Sequence, residues 1–202
     1  MKLFATILCL LASSLAMASE QDEPSLVYTL QIDDQKIRVV PGQEIEIMGA
    51  FENPKVTLVP DKARLFTYSG ITFKYPSQFA FEADFETAGV KMWSLDGNDC
   101  VIMVQQYEAL QMTPQTFSEI LKESYGPETK LENKSYRFNG QQYSGVRVRV
   151  SLAGTALIQD VIALPTKKGS RLLVLQDLPP EEKVSQDESK FVLKLLDETL
   201  KH

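Results

Sequence analysis

Apolar and polar positions follow two different rules along this chain. Residues 3–15 form an apolar run preceded by Lys2 and followed by Ala16-Met17-Ala18. That is the layout of a secretory leader cleaved after Ala18, and the run is too short to cross a bilayer. Beyond Ser19 the apolar residues alternate with polar ones or recur at helical spacing. Residues 27–32, 37–40, 45–47 and 56–59 are short apolar-rich runs, separated by Asp33-Asp34, Pro41-Gly42 and Gly49, with Pro60-Asp61 closing the last. Such spacing predicts a small antiparallel β meander. It holds too few large apolar groups to stand alone, so it is expected to pack on the rest of the chain.

From Ser69 onward the pattern mixes strands with two helices. Residues 71–76 alternate and stop at Pro76, and the runs 90–95 and 100–107 flank Asp96-Gly97-Asn98-Asp99, a hairpin signal. Thr113-Pro114 predicts a capped helix start, with Phe117, Ile120, Leu121 and Tyr125 as its buried stripe and Gly126-Pro127 as its stop. Residues 136–138 and 143–152 flank the turn Asn139-Gly140. In the second run Val146, Val148 and Val150 oppose Arg147 and Arg149, which reads as one buried and one wet face. Strands 155–164 and 171–176 come next. A last helix is expected from Ser185, with Glu188 completing a capping box and Val192, Leu195, Leu196 and Thr199 on its inner face. The predicted class is α+β, an antiparallel sheet covered by two helices and preceded by the meander. The expected division is residues 1–18, leader; 19–67, N-terminal β segment; 68–202, the α+β domain.

Composition narrows the function. The chain has 202 residues, 44% hydrophobic and 24% charged, with a net charge of −6 that becomes more negative once Lys2 departs. An acidic body is repelled by nucleic-acid phosphates and by anionic lipid, so neither is an expected partner, and the mature chain offers no membrane span. Cys9 lies inside the leader, which leaves Cys100 without a disulfide partner and suits a bacterial periplasm better than a eukaryotic extracellular space; the expected location after cleavage near Ala18 is periplasmic or secreted.

Residues 68–200 resemble the PsbP-like fold of the photosystem II extrinsic subunit, a Ran-binding nuclear protein and bacterial envelope proteins of the DcrB type. The resemblance is carried by residues 69–76 (Ser-Gly-Ile-Thr-Phe-Lys-Tyr-Pro), by Tyr143-Ser144-Gly145-Val146, by the strand 171–175 and by the closing amphipathic helix. It implies an accessory or binding protein and contains no active-site motif; one fold hosts many functions.

The residues themselves offer little catalytic chemistry. His202 is the only histidine, so a Ser-His-Asp or Cys-His machine and a histidine-ligated zinc site are not expected. Cys100, in an apolar run, reads as an inert core thiol. Asp96, Asn98 and Asp99 offer oxygens for calcium but lack the usual bidentate glutamate, so a turn is the expected role. Glu82, Asp84 and Glu86 alternate with Phe81, Ala83 and Phe85, which predicts a solvated strand face over a glycosidase pair. Asn133-Lys134-Ser135 is a glycosylation sequon that matters only in a eukaryotic pathway. Trp93, Met103 and Tyr107 can line an apolar pocket or belong to the core. Arg147 and Arg149, with Lys74 and Arg137, form the candidate partner-binding patch. No cofactor or metal is expected. The reading is a non-enzymatic extracytoplasmic accessory protein that binds another envelope protein. The alternatives are a carrier of a small apolar or anionic ligand between sheet and helix, and a carboxylate-based hydrolase.

Overall fold

The computed structural model describes residues 19–49, 51–152, 154–177 and 187–202. The leader, Cys9 and the expected helix start at Ser185 lie outside the described residues. Twelve strands and two helices are present among them, all strand pairs antiparallel. The class is α+β, as the pattern predicted.

Three strands, β1 (Tyr28–Ile32), β2 (Gln35–Val39) and β3 (Val56–Pro60), form a sheet in the order β2-β1-β3. Residues 45–47 are not a strand. The central β1 has β2 on one edge and β3 on the other, and the segment that carries the chain from β2 round to β3 pairs with neither outer edge. The expected packing of this unit is slight. Ile32 is its only buried side chain, and β3 is exposed throughout.

The hairpin β4 (Ala63–Phe66) and β5 (Phe73–Pro76) straddles the boundary expected at residues 67–68. The remaining strands are β6 (Ala80–Asp84), β7 (Val90–Asp96), β8 (Cys100–Tyr107), β9 (Lys130–Phe138), β10 (Gln141–Leu152), β11 (Thr155–Leu164) and β12 (Ser170–Asp177). They form one seven-stranded sheet, larger than the pattern implied, in the order β6-β7-β8-β12-β11-β10-β9. Helix α1 (Pro114–Tyr125) follows β8, and α2 (Asp187–Thr199) follows β12.

Alternation sends each strand's residues to opposite faces. One face carries Val148, Val161, Leu172 and Val174, against which Phe117 and Leu121 of α1 pack. The other carries Trp93, Leu95, Ile102, Val104, Ile162 and Leu173. On this second face the hairpin β4–β5 joins α2 in the core: Phe66 stacks on Phe73 at 4.8 Å and meets Trp93 edge-on at 5.9 Å. Val192, Leu196 and Leu200 complete the cluster.

Two local devices differ from their expected form. Thr113 caps α1 by accepting the Thr116 N–H at 3.1 Å, as predicted. The inner stripe, however, runs through the buried Ser118 and the part-buried Phe117 and Leu121, while Ile120 is 46% exposed. In the β7–β8 turn, Gly97 does not adopt a positive φ. It is required for room instead, because a Cβ there would lie 2.5 Å from the Phe79 ring and from Glu188 Oε2. Glu188 also accepts the Asp99 N–H at 3.0 Å, tying α2 to that turn.

Candidate functional site

The four cations of the expected patch do not meet. On β10, Arg147 faces the same side as Ile162 and Asp160, and its guanidinium grips Asp160 through two 2.6 Å bonds. Tyr136 donates to the same carboxylate at 2.7 Å. The guanidinium is therefore engaged within the fold, and what the alternation marked as a wet face is at this point a buried polar network. Arg149 is exposed beside Glu132 at 3.8 Å. Arg137 pairs with Gln142 and so lies on the opposite face. Lys74 stands on the outer side of β5 and lines a groove of about 820 Å³ with Arg38, Arg64, Glu23 and Asp61, whose charges largely offset one another.

Trp93 and the pair Met103 and Tyr107 also separate. Register places Trp93 opposite Val104 on one face and the other two on the α1 face. The Trp93 indole donates to Glu20 O at 2.7 Å. Burial pushes the Cys100 thiol up to about 12, even against the Ser189 hydrogen bond. Asp96 accepts from Ser94 Oγ at 2.8 Å, and among the described residues no three His, Cys, Asp or Glu side chains converge as metal ligands would.

A different site emerges at the end of the large sheet where β8 meets β12. Arg171, the second residue of β12, pairs with Gln106 on β8 and Leu164 on β11 and shares a face with Leu173. Two tight turns close around it. Gly169 has φ +69°, and a Cβ there would lie 1.8 Å from Tyr107 O, so only glycine lets the 165–169 turn lie flat on the end of β8. Ser69 and Gly70 both have positive φ, in a turn closed by the Ile71 N–H to Tyr68 O bond at 3.0 Å. These turns bring backbone carbonyls to the guanidinium.

Arg171 is 7% exposed. Its Nε donates to Gln106 Oε1 at 2.8 Å, its Nη1 to Pro165 O at 3.0 Å, and its Nη2 to Ser69 O and to Thr166 Oγ1. Every acceptor is neutral. Among the described residues no carboxylate forms a salt bridge with Arg171, in contrast to Arg147. Burial lowers its pKa, the sign of a charge held out of water without a counter-ion. An arginine nevertheless stays protonated.

Beside it opens a cleft of about 830 Å³, lined by Lys91, Gln106, Glu108, Lys167, Lys168 and Arg171, with Ser69 and Gly70 at one wall. Residues 19–23 lie across that wall as a strap. Glu20 accepts from Lys91 Nζ at 2.7 Å and from the Ser69 N–H at 3.1 Å, and the Tyr68 hydroxyl donates to Asp22 O. Burial alone would raise the Glu20 pKa, but the Lys91 and Ser69 hydrogen bonds hold it below the usual carboxylate value. The Glu20 hydrogen bond correspondingly raises Lys91. The cleft is thus a pocket of positive charge on an acidic protein.

The sequence did not disclose this cluster. Arg171 reads as the first polar residue of an apolar strand, and the other contributors come from four distant segments. A faint signal was Lys167-Lys168-Gly169, a basic turn next to an isolated strand arginine.

No protein-family model and no curated protein matches the chain. Among solved structures it is similar to PA94 of Pseudomonas aeruginosa, a protein of unknown function. The identity is 11% and the TM-score 0.30, over 59% of this chain and 85% of that one. It is also similar to LpqN, involved in cell envelope biogenesis of Mycobacterium tuberculosis, at 14% identity and TM-score 0.33, over 64% of this chain and 81% of that one. Neither overlap is close enough to define a shared activity.

Proposed function

We propose that this chain is a non-enzymatic extracytoplasmic binding protein whose ligand presents an anionic group to the Arg171 cleft. The observation that carries the reading is a buried guanidinium with only neutral partners, set in a cleft with Lys91, Lys167 and Lys168. A buried charge without a counter-ion is costly, and an incoming anion relieves that cost. The leader pattern of residues 1–18 supports the location. The PsbP-like resemblance of residues 68–200 agrees with an accessory role, and a chain whose sole histidine is His202 and whose Cys100 thiol is so weakly acidic supports the absence of catalysis. The cleft favours the carrier of an anionic ligand, held at the sheet end instead of between sheet and helix.

Thermal unfolding of the chain beginning at Ser19, with citrate, phosphate and acetate, tests this. Ligand at a hundredfold its Kd stabilises by about 2.7 kcal/mol, a rise of roughly 5–10 °C in Tm for a chain of this size. The rise is expected for at least one anion and is expected to vanish in Lys168→Glu. Equal shifts in both proteins, or none in either, would sink the reading. Salt-sensitive capture of an envelope protein that Lys168→Glu abolishes would assign the anionic group to a protein partner.

A further inference from the structure

Building on the anion-binding reading of the cleft, we infer that its ligand group is a doubly charged tetrahedral oxyanion, a phosphate or sulfate type, and not a planar carboxylate. The first argument is the state of the arginine fork. A carboxylate is recognised best by two parallel N–H donors of one guanidinium. In Arg171 both edges of the fork are already spent: Nε on Gln106, Nη2 on Ser69 O and Thr166 Oγ1, and Nη1 on Pro165 O. At most one N–H, on Nη1, remains for a ligand.

The second argument is the geometry of the other donors. Gln106 cannot serve, because its Nε2 already donates to the carbonyls of Tyr107, Lys168 and Ser170. The other cationic groups of the lining are the ammonium groups of Lys91 on β7 and of Lys167 and Lys168 in the 165–169 turn. Ammonium groups are point charges with rotatable donors and impose no plane. Placed on β7 and on the turn that faces it across the cleft, they can reach oxygens that radiate in several directions.

The third argument is charge. Four cationic side chains line the cleft with Glu108 and the terminal residue His202, and Glu20 engages Lys91. The side chains leave a surplus of positive charge, which a dianion balances more fully than a monoanion. Glu20 thereby sets the charge that the cleft accepts.

Isothermal titration at low ionic strength and pH 8 decides the matter, using inorganic phosphate, sulfate and acetate on the chain beginning at Ser19. Phosphate and sulfate are expected to bind about tenfold or more tightly than acetate, since each gains a second charge interaction. The double variant Lys167→Ala/Lys168→Ala, with unchanged circular dichroism and Tm, is expected to lose at least tenfold in phosphate affinity. Acetate binding as tightly as phosphate, with both weakened in the variant, overturns the tetrahedral preference and leaves the anion site standing. Absence of binding by all three, or binding the variant does not change, overturns both. Flotation with phosphatidylcholine vesicles, with and without phosphatidic acid, separates the two sources of such a group. Variant-sensitive flotation assigns it to a lipid headgroup, and phosphate binding without flotation assigns it to a soluble ester.

Discussion

Two arginines on the same face of one sheet show what a counter-ion changes. Arg147 meets Asp160 through both carboxylate oxygens, with Tyr136 donating to the same group, and Gly145 leaves the space that the Tyr136 ring fills. Its pKa is driven up by the Asp160 hydrogen bond despite burial, whereas burial lowers Arg171. The pair therefore belongs to the architecture, and its two members depend on each other. Asp160→Ala is expected to destabilise the chain by about 3–5 kcal/mol, because it strands a half-buried guanidinium. Arg147→Met/Asp160→Leu together are expected to recover most of that loss. Urea unfolding of the single and double variants measures both, and a double variant no more stable than Asp160→Ala would contradict the account. The sequence displayed the alternation that put Arg147 opposite the valines, but not the aspartate one strand over that engages it. Alternation reports which face a residue takes, and the neighbouring strand's register decides what it finds there.

At the level of elements, the punctuation of the chain was legible and the phase of its helices only partly so. Thr113-Pro114, Asn139-Gly140 and Gly126 end or begin elements where the sequence placed them, because capping and positive φ depend on residues next to one another. The stripe of α1 depends on what the helix rests upon. Phe117 and Leu121 pack on Val148 and Val161, and the small Ser118 lets the helix approach the sheet, which turns Ile120 outward. Accordingly Ile120→Glu is expected to change stability by less than about 0.5 kcal/mol, while Leu121→Ala costs about 1–3 kcal/mol for its part-buried side chain. Thermal or urea unfolding of the two variants checks the order, and reversal would mean the helix phase is misplaced. Residues 45–47 carry a strand's alternation without a strand's partner. Pattern names a candidate, and pairing with a ladder makes it a strand.

Across the whole molecule, residues 19–23 join regions far apart in the chain. They read as a polar lead-in, since nothing in Glu20 or Asp22 announces Ser69, Lys91 or Trp93 as partners. The strap has a defined pH window. Glu20 has a folded pKa below its ordinary 4.5, so its contribution is present above that value and is lost as pH falls through the folded value. Lys91, raised above 10.5, contributes below that value and loses its share as pH rises through the folded value. Trp93, the only tryptophan, bonds the strap directly and reports its release. A step in its emission is expected as pH falls below the ordinary glutamate value, in the chain beginning at Ser19, and is expected to be absent in Glu20→Gln. The same step in both proteins would assign it to other carboxylates. The cleft itself was beyond reach of the sequence for the same reason as the strap: its donors are neighbours only after β8 and β12 have paired.

That pairing has a consequence for how the chain reaches its native state. Within the large sheet, β6-β7-β8 and β9-β10-β11-β12 are each meanders of successive hairpins, and such local contacts close quickly with little loss of chain entropy. The seam between β8 and β12 is different, since it sets Ser170 opposite Tyr107 and Leu173 opposite Val104 across the intervening helix and three strands. Within this sheet the entropic cost of closure is therefore concentrated in one ladder. The Arg171 cleft sits at the end of that ladder and completes only when the ladder closes, so a ligand held there selects the zipped sheet.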